Sequence, residues 1–353
     1  MFDGQAVRIE GDIRFDGAVA VDQSLWYING QSEVLQLELS QAVNLNDIKS
    51  ATAQPHQLTI SQNVNILASQ LDSLGNKRSR QQLQLPTLTF DLQSNELLGI
   101  GPGSVRSWHI TSAFASRAAV SAGGEVAASN RSGPPEQLQG AHLIFRDSMR
   151  GFLDHSEIYF QGKVELAAGP LASWDDAIDV TRLQHLALDQ MHLDCDLLKV
   201  YDTSSLSTTG PAASPSRGSA GGATKTWEFQ AKGNVHFAGK AESGDYEGSG
   251  SEVNYVQAKE LLTLLGEPRR AAHVIIRPSG PSQASLINAS VEYAAINPHI
   301  PSLESYKMGA QGIDVQLQGS QSQGTGQPSG QPTPPRGDIP NPRGTVTDFL
   351  RRP

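Results

Sequence analysis

The sequence predicts an all-β protein in which antiparallel strands form a meandering sheet that curls on itself. In most of the chain the apolar residues recur at every second position, which is typical of strands with one buried and one solvated face. Long stretches with the 3.6-residue period of a helix are missing. Only 18% of the 353 residues are charged, whereas there are 34 Gly and 20 Pro, a balance that favours strands and turns over surface helices.

The alternation is clearest in two segments. In the first, Leu35, Leu37 and Leu39 alternate with polar residues. In the second, the apolar positions are Met191, Leu193, Cys195 and Leu197, and the polar ones are Gln190, His192, Asp194 and Asp196. The exceptions are residues 175–187 and 46–52, each of which could form a single short helix.

Three segments that are poor in apolar residues divide the chain. Residues 117–137 and 203–224 are rich in Ser, Gly, Ala and Pro, and residues 318–353 begin with a long Gln/Gly/Pro/Ser stretch. Such segments bury too little apolar surface to offset the entropy of ordering, so we expect two flexible linkers or loops and a disordered tail. The predicted β modules are therefore residues 1–116, residues 138–202 as a partial module, and residues 225–317.

A short glycine-containing repeat recurs in all three modules. Its copies are GDIRFDG at 11–17, GKVELAAG at 162–169, GNVHFAG at 233–239 and a weaker QNVNI at 62–66. We interpret the unit as strand, glycine, strand and glycine turn. Two apolar residues of each copy lie two positions apart and therefore point to one face of their strand. These pairs are Ile13 and Phe15, Val64 and Ile66, Val164 and Leu166, and Val235 and Phe237.

A second repeated element predicts hairpins. Residues 88–103 and 253–268 both run from an aromatic residue through a polar turn to Glu-Leu-Leu and then to Gly and Pro. This is the order expected of a strand, a turn and a returning strand. With the alternating residues 271–277 and 284–293 that follow, the last module supplies about six consecutive strands.

The sequence around the last repeat resembles a known family. Residues 227–237 (WEFQAKGNVHF) are followed by 253–255 (VNY), 260–264 (ELLTL) and 266–268 (GEP). This pattern is similar to the OstA-like family, which is associated with organic solvent tolerance and lipopolysaccharide transport. The match is good over 226–300 and partial over 5–108. Over 138–202 it depends chiefly on the copy that begins at Gly162.

The resemblance implies a half-open antiparallel β-jellyroll, or β-taco, built of tandem OstA-like modules. It also implies a non-enzymatic carrier in the periplasm or cell envelope that shields the acyl chains of a glycolipid between two sheets. Such modules join edge to edge with like modules. No secretory signal is recognised at the beginning of this sequence, which has neither a basic segment nor an apolar stretch after Met1.

The residues that would carry these functions are the repeat pairs and the sheet edges. The lipid-groove candidates are Ile13, Phe15, Val64, Ile66, Val164, Leu166, Val235 and Phe237. A half-open jellyroll leaves unpaired edge strands that can add a further strand, and the edge-pairing candidates are Val7, Ile9, Ile313 and Val315. The alternative is a closed core in a structural or adhesion-type β scaffold that binds no lipid.

Other classes of function find little support. The chain has no G-x-S-x-G elbow, HExxH, P-loop or GxGxxG following a strand, so we predict no enzyme and no cofactor. His192, Asp194 and Asp196 share a strand face, but a solvated face explains them more simply than a metal site does. A net charge of -9 without clustered basic residues argues against nucleic acid as a partner.

Overall fold

A computed structural model describes most of the chain. The described residues are 6–21, 24–41, 54–112, 136–180, 186–202, 227–242, 244–256, 261–267, 270–279, 286–297 and 302–316. The predicted linker 203–224 and the predicted tail 318–353 lie outside them. So does the linker 117–137, except that Glu136 and Gln137 begin a strand.

The described residues form sixteen strands in one sheet. The strands are β1 (Ala6–Val21), β2 (Ser24–Leu39), β3 (Pro55–Leu71), β4 (Lys77–Asp91), β5 (Glu96–Ile100), β6 (Gly103–Ser112), β7 (Glu136–Phe145), β8 (Ser148–Phe152), β9 (Glu157–Pro170), β10 (Gln190–Asp202), β11 (Trp227–Ala241), β12 (Gly244–Val256), β13 (Leu261–Leu265), β14 (Ala272–Pro278), β15 (Leu286–Asn297) and β16 (Ser302–Gln316).

Every pairing between these strands is antiparallel, which confirms the all-β fold class and agrees with a β-taco or jellyroll-like fold. The predicted hairpins form: Asp91 of β4 pairs with Glu96 of β5, and Val256 of β12 pairs with Leu261 of β13. The last strand, Ser302–Gln316, contains the edge-pairing candidates Ile313 and Val315.

Helical structure in the described part of the chain is limited to one 3-10 turn, Leu153–His155. The short helix predicted for 175–187 was wrong for the residues that are described, because 175–180 and 186–187 are not helical. Carbonyl groups of this segment accept hydrogen bonds from side chains of neighbouring strands instead. The second expected helix, 46–52, lies outside the described residues.

A line of β-bulges crosses the long strands and bends the sheet into two leaves. The register shifts between Glu10 and Ile13 in β1, between Ser61 and Val64 in β3, and between Lys232 and Val235 in β11. β4, β9 and β12 each pair with one strand on one side of this line and with a different strand on the other side. Bulges bend a strand and increase its twist, so a row of them folds the sheet over.

We call the two halves leaf A and leaf B. Leaf A contains β5, β8, β13 and residues 6–10, 34–39, 55–61, 87–91, 157–161, 197–202, 227–232, 252–256 and 293–297 of the longer strands. Leaf B contains β6, β7, β14 and residues 13–21, 24–31, 64–71, 77–85, 164–170, 190–195, 235–241, 244–249 and 286–291.

The first glycine of the repeat lies at a bulge inside a long strand, not between two strands as predicted from the sequence. Gly162-Lys163 and Gly233-Asn234 have positive φ (80° and 48°, 75° and 43°), and they lie inside long strands rather than between two strands. Glycine adopts this left-handed backbone without the cost that a Cβ imposes. The final glycine of the copy, Gly239, is not a turn either: a Cβ there would overlap the ring of Tyr246 on the neighbouring strand.

Apolar side chains of both leaves form one core cluster. Val64, Val164 and Val235, which follow the bulges, are at most 2% exposed. Aromatic rings cover glycines that are paired with them across strands, a packing that protects exposed strand backbone. These pairs are Phe15 with Gly30, Phe145 with Gly103, Phe237 with Gly248 and Tyr246 with Gly239.

Candidate functional site

The inner face of the sheet is closed over its C-terminal strands. Val253 of leaf A and Val274 and Ile276 of leaf B are completely buried. Leu264 and Ile296 of leaf A are equally inaccessible. Side chains of the two leaves therefore fill the space between β12, β13, β14 and β15.

The same inner face is accessible at the opposite end. Ile9 pairs with Leu35, which pairs with the buried Ile60, so these three side chains share the inner face of leaf A. In leaf B, Val19 lies on the face of Phe15, whose ring packs against the core. Ile9 and Val19 are nevertheless each 50% exposed.

Ile28 extends this accessible surface onto the second strand. It lies two residues from Gly30, over which the Phe15 ring packs, and is 36% exposed. We call the space between the inner faces of the two leaves the cleft, and the exposed side chains Ile9, Val19 and Ile28 its open end. Apolar side chains that water reaches can take up an apolar group, because its burial is favourable by about 25 cal/mol per Å².

The structure separates the eight predicted groove residues into three groups. Ile13 and Phe15 are half-buried and lie nearest the open end. Ile66 and Leu166 are half-buried and pack against the core. Val64, Val164, Val235 and Phe237 are core residues with exposures of 2%, 0%, 0% and 3%, so a ligand would reach them only if the leaves separated.

The predicted edge strands lie at the two ends of the strand order. Among the described strands β1 pairs only with β2, and β16 pairs only with β15. Val7 is half-buried and Ile9 exposed on β1. The backbone of β16 includes Ile313 and Val315, which pair with Ala289 and Ile287.

A segment that overlaps the expected helix 175–187 covers the outer face of leaf B. Residues 171–180, which we call the strap, leave β9 and cross β7, β6 and β4. Three side chains donate hydrogen bonds to backbone carbonyl groups at every second residue of the strap. Arg80 Nη1 donates to Trp174 O at 3.3 Å, Trp108 Nε1 to Asp176 O at 2.7 Å, and His142 Nδ1 to Ile178 O at 3.0 Å.

Packing adds to these hydrogen bonds. Ile178 and Val180 of the strap form a small buried cluster with Ala167 of β9. The guanidinium of Arg80 lies 4.9 Å from the Trp108 ring centre, and Lys77 Nζ lies 5.3 Å from that of Trp174. The sequence signal was that residues 171–180 lack the alternation of the strands around them.

Two buried histidines flank Ala167 on this face. His142 of β7 and His192 of β10 both pair with Ala167, one on each side. Burial lowers the pKa of His142; the Ile178 carbonyl and Asp179 oppose this effect, whereas Arg106 adds to it. Burial also lowers the pKa of His192, although Asp194 and Glu165 oppose the shift.

The residues weighed as metal ligands do not converge. His192 Nδ1 is 3.8 Å from Asp194 Oδ2, but Asp196 lies at the bulge, where it accepts a hydrogen bond from Asn234 Nδ2 at 2.8 Å. Among the described residues no group of three or more His, Cys, Asp or Glu is arranged to hold a metal ion. Cys195 is buried, and burial raises the pKa of its thiol to about 12.

Comparison with protein families and with curated proteins finds no match for this chain. The OstA-like resemblance therefore stays a prediction. No helix within the described ranges is both long enough and apolar enough to cross a bilayer.

Proposed function

We propose that this protein is a non-enzymatic envelope protein that binds the acyl part of an amphipathic glycolipid at the open end of its cleft. The observation that supports this proposal is the change of inner-face exposure along the sheet. Ile9 and Val19 at one end are 50% exposed, whereas Val253 and Val274 near the other end are completely buried.

The folded sheet suits such a ligand because its two sides differ in polarity. Outward-facing positions next to the open end are polar and include the ion pair between Arg8 and Glu10, at 2.7 Å. An acyl chain would replace water on Ile9 and Val19, while a polar headgroup would remain outside. The bound lipid would then have both parts in the environment that each prefers.

The binding test uses a long-chain fluorescent fatty acid and two variants of the open end, Ile9→Asp and Val19→Asp. Loss of the apolar contact of one aliphatic side chain corresponds to about 1.5 kcal/mol, so we expect roughly tenfold weaker binding for each variant. Purified lipopolysaccharide should compete with the probe, and its deacylated saccharide should not.

The matched control is Leu74→Asp. Leu74 is 84% exposed in the turn between β3 and β4, away from the core cluster. The substitution introduces the same charge at an exposed apolar position, so the affinity of this variant should equal that of the unmodified protein. Equal affinity of all four proteins, or no binding by any of them, would contradict the proposal.

A structural β scaffold is the second candidate, and the closed core favours it. From β11 to β15 the inner face is filled by the protein's own side chains. A scaffold of this kind would bind neither the probe nor lipopolysaccharide. The binding test thus separates the two candidates.

Edge-to-edge association is a further part of the proposed function. β1 and β16 are the terminal strands of the described sheet, and an edge strand can add another strand through main-chain hydrogen bonds. Cysteines at Val7 and Val315 should form cross-linked dimers or longer rods under oxidation. Because the native Cys195 is buried, it should not compete. Persistently monomeric protein with both cysteines present would exclude this mode of assembly.

A further inference from the structure

We propose that the strap, residues 171–180, is a pH-responsive cover that detaches from the outer face of leaf B when His142 and His192 take up protons. The strap is fastened by the side-chain donors of Arg80, Trp108 and His142. Of these three donors, the imidazole is the one whose ordinary pKa lies near neutrality.

The contacts of His142 define its neutral form. Nδ1 lies 3.0 Å from Ile178 O, a hydrogen-bond acceptor, so Nδ1 carries the proton and donates it to the strap. Nε2 faces Nε of Arg106 at 3.5 Å and is the acceptor of that contact. A second proton on Nε2 would place two donors and two positive charges against each other. Protonation therefore disfavours the arrangement in which the strap is closed.

Protonation of His192 in the closed state is unfavourable for a different reason. Its side chain is 5% exposed, and its Nε2 is buried with no hydrogen-bond partner among the described residues. A charged imidazole there would lack an acceptor for one of its two N–H groups. Burial of an unsatisfied charged donor is unfavourable, so protonation favours states in which this ring reaches water.

The other charged groups around the two rings have mixed signs. Arg106 of β6 repels a charge on His142, whereas Asp179 of the strap attracts it. Asp194 of β10 and Glu165 of β9 attract a charge on His192. On β11, His236 pairs with Asp194, and Lys240 pairs with Gln190, so both are diagonal neighbours of His192. Burial outweighs the attractive carboxylates, since the pKa of each ring is lowered.

The sign of the pH dependence follows from these shifts. In the closed state both rings have a pKa below the ordinary 6.5. A ring that reaches water when the strap opens would regain the ordinary value. The closed state is therefore fully stabilised above about pH 6.5 and loses stability as the pH falls toward the lowered values. Each ring that gains a proton on opening raises the opening equilibrium constant by up to about tenfold per pH unit.

Detachment would uncover an apolar surface. The strap covers Ala167 and packs against Ile144, and it accepts the indole N–H of Trp108, which is only 5% exposed. These residues lie on the outer face, on the opposite side of leaf B from the proposed lipid cleft. The cover thus operates independently of lipid binding.

Hydrogen exchange measured by mass spectrometry tests the proposal on the full chain. After correction for the intrinsic rate, the strap amides should open at least about tenfold more at about pH 5 than at about pH 7.5. Amides of β9 serve as the internal reference and should remain protected. The double variant His142→Asn with His192→Gln should lose most of this response, because the introduced asparagine amide takes the position of Nδ1 and can still donate to Ile178 O but does not titrate.

The matched control is His236→Gln. His236 is exposed on the same face, where Nδ1 contacts Asn234 O at 3.0 Å. This variant should keep the full pH response of the strap. The proposal is overturned if strap exchange is independent of pH, if β9 opens in parallel with the strap, or if the double variant responds like the unmodified protein.

Discussion

The first and last copies of the glycine repeat both lie at a bulge, but their surroundings differ. In β1, Ile13 and Phe15 follow a bulge and are half-buried; in β11, Val235 and Phe237 follow a bulge and are almost inaccessible. β11 is paired on both sides, whereas among the described strands β1 pairs only with β2. The comparison shows that neighbouring strands decide whether the same pattern becomes core or accessible surface.

The largest expected effect concerns a charge at the two ends of the inner face. Val235→Asp should lower the free energy of unfolding by several kcal/mol, comparable with the roughly 5–15 kcal/mol stability of a domain, because the carboxylate has no partner in the core. Val19→Asp should change it by about 0.5 kcal/mol or less, since water reaches this position. Urea unfolding followed by circular dichroism measures both. Similar losses for the two variants would mean that the inner face is closed along its whole length.

A medium effect concerns the final glycine of each copy. Gly239→Ala should destabilise the protein by about 1–3 kcal/mol, because its Cβ would overlap the Tyr246 ring. At Gly17, the corresponding position of the first copy, an added Cβ would have no atom of the described residues within 4 Å apart from those of its two chain neighbours. Gly17→Ala should therefore stay within about 0.5 kcal/mol of the unmodified protein. Thermal unfolding of the pair measures the difference, and equal midpoints would show that the two ends are packed alike.

The smallest effect concerns the weaker copy at 62–66. Gln62 has a φ of 64°, where two of the other copies have glycine with a positive φ of 75° to 80°. A left-handed backbone costs a non-glycine residue about 1–2 kcal/mol, so Gln62→Gly should stabilise the protein by up to about 1 kcal/mol.

Gln57→Gly is the control for this substitution. Gln57 lies on the same strand in ordinary extended backbone, and its replacement by glycine should destabilise the protein by roughly 0.5–1 kcal/mol. Chemical unfolding should thus show opposite signs for the two variants. A loss of stability for Gln62→Gly would indicate that its side chain stabilises the bulge.

Part of the fold and little of the candidate site could be predicted from the sequence. The alternation around Leu35 and around Leu193 predicted strands, and the shared pattern at 88–103 and 253–268 predicted hairpins; both are confirmed. The interpretation of the repeat as two strands with a turn was wrong. A positive φ at glycine is needed by a turn and by a bulge alike, so the residue type does not distinguish them.

The sequence by itself determined the all-β class, because period-two alternation follows directly from the geometry of a strand and depends on no distant residue. Tertiary structure alone decided which inner-face residues are buried and which are accessible, since Ile13 and Val235 occupy the same position of the repeat but have different neighbours. It also decided the course of the strap, whose carbonyl at Trp174 meets Arg80 from 94 residues away. Contacts of this kind are set by strand order and register, which local patterns do not encode.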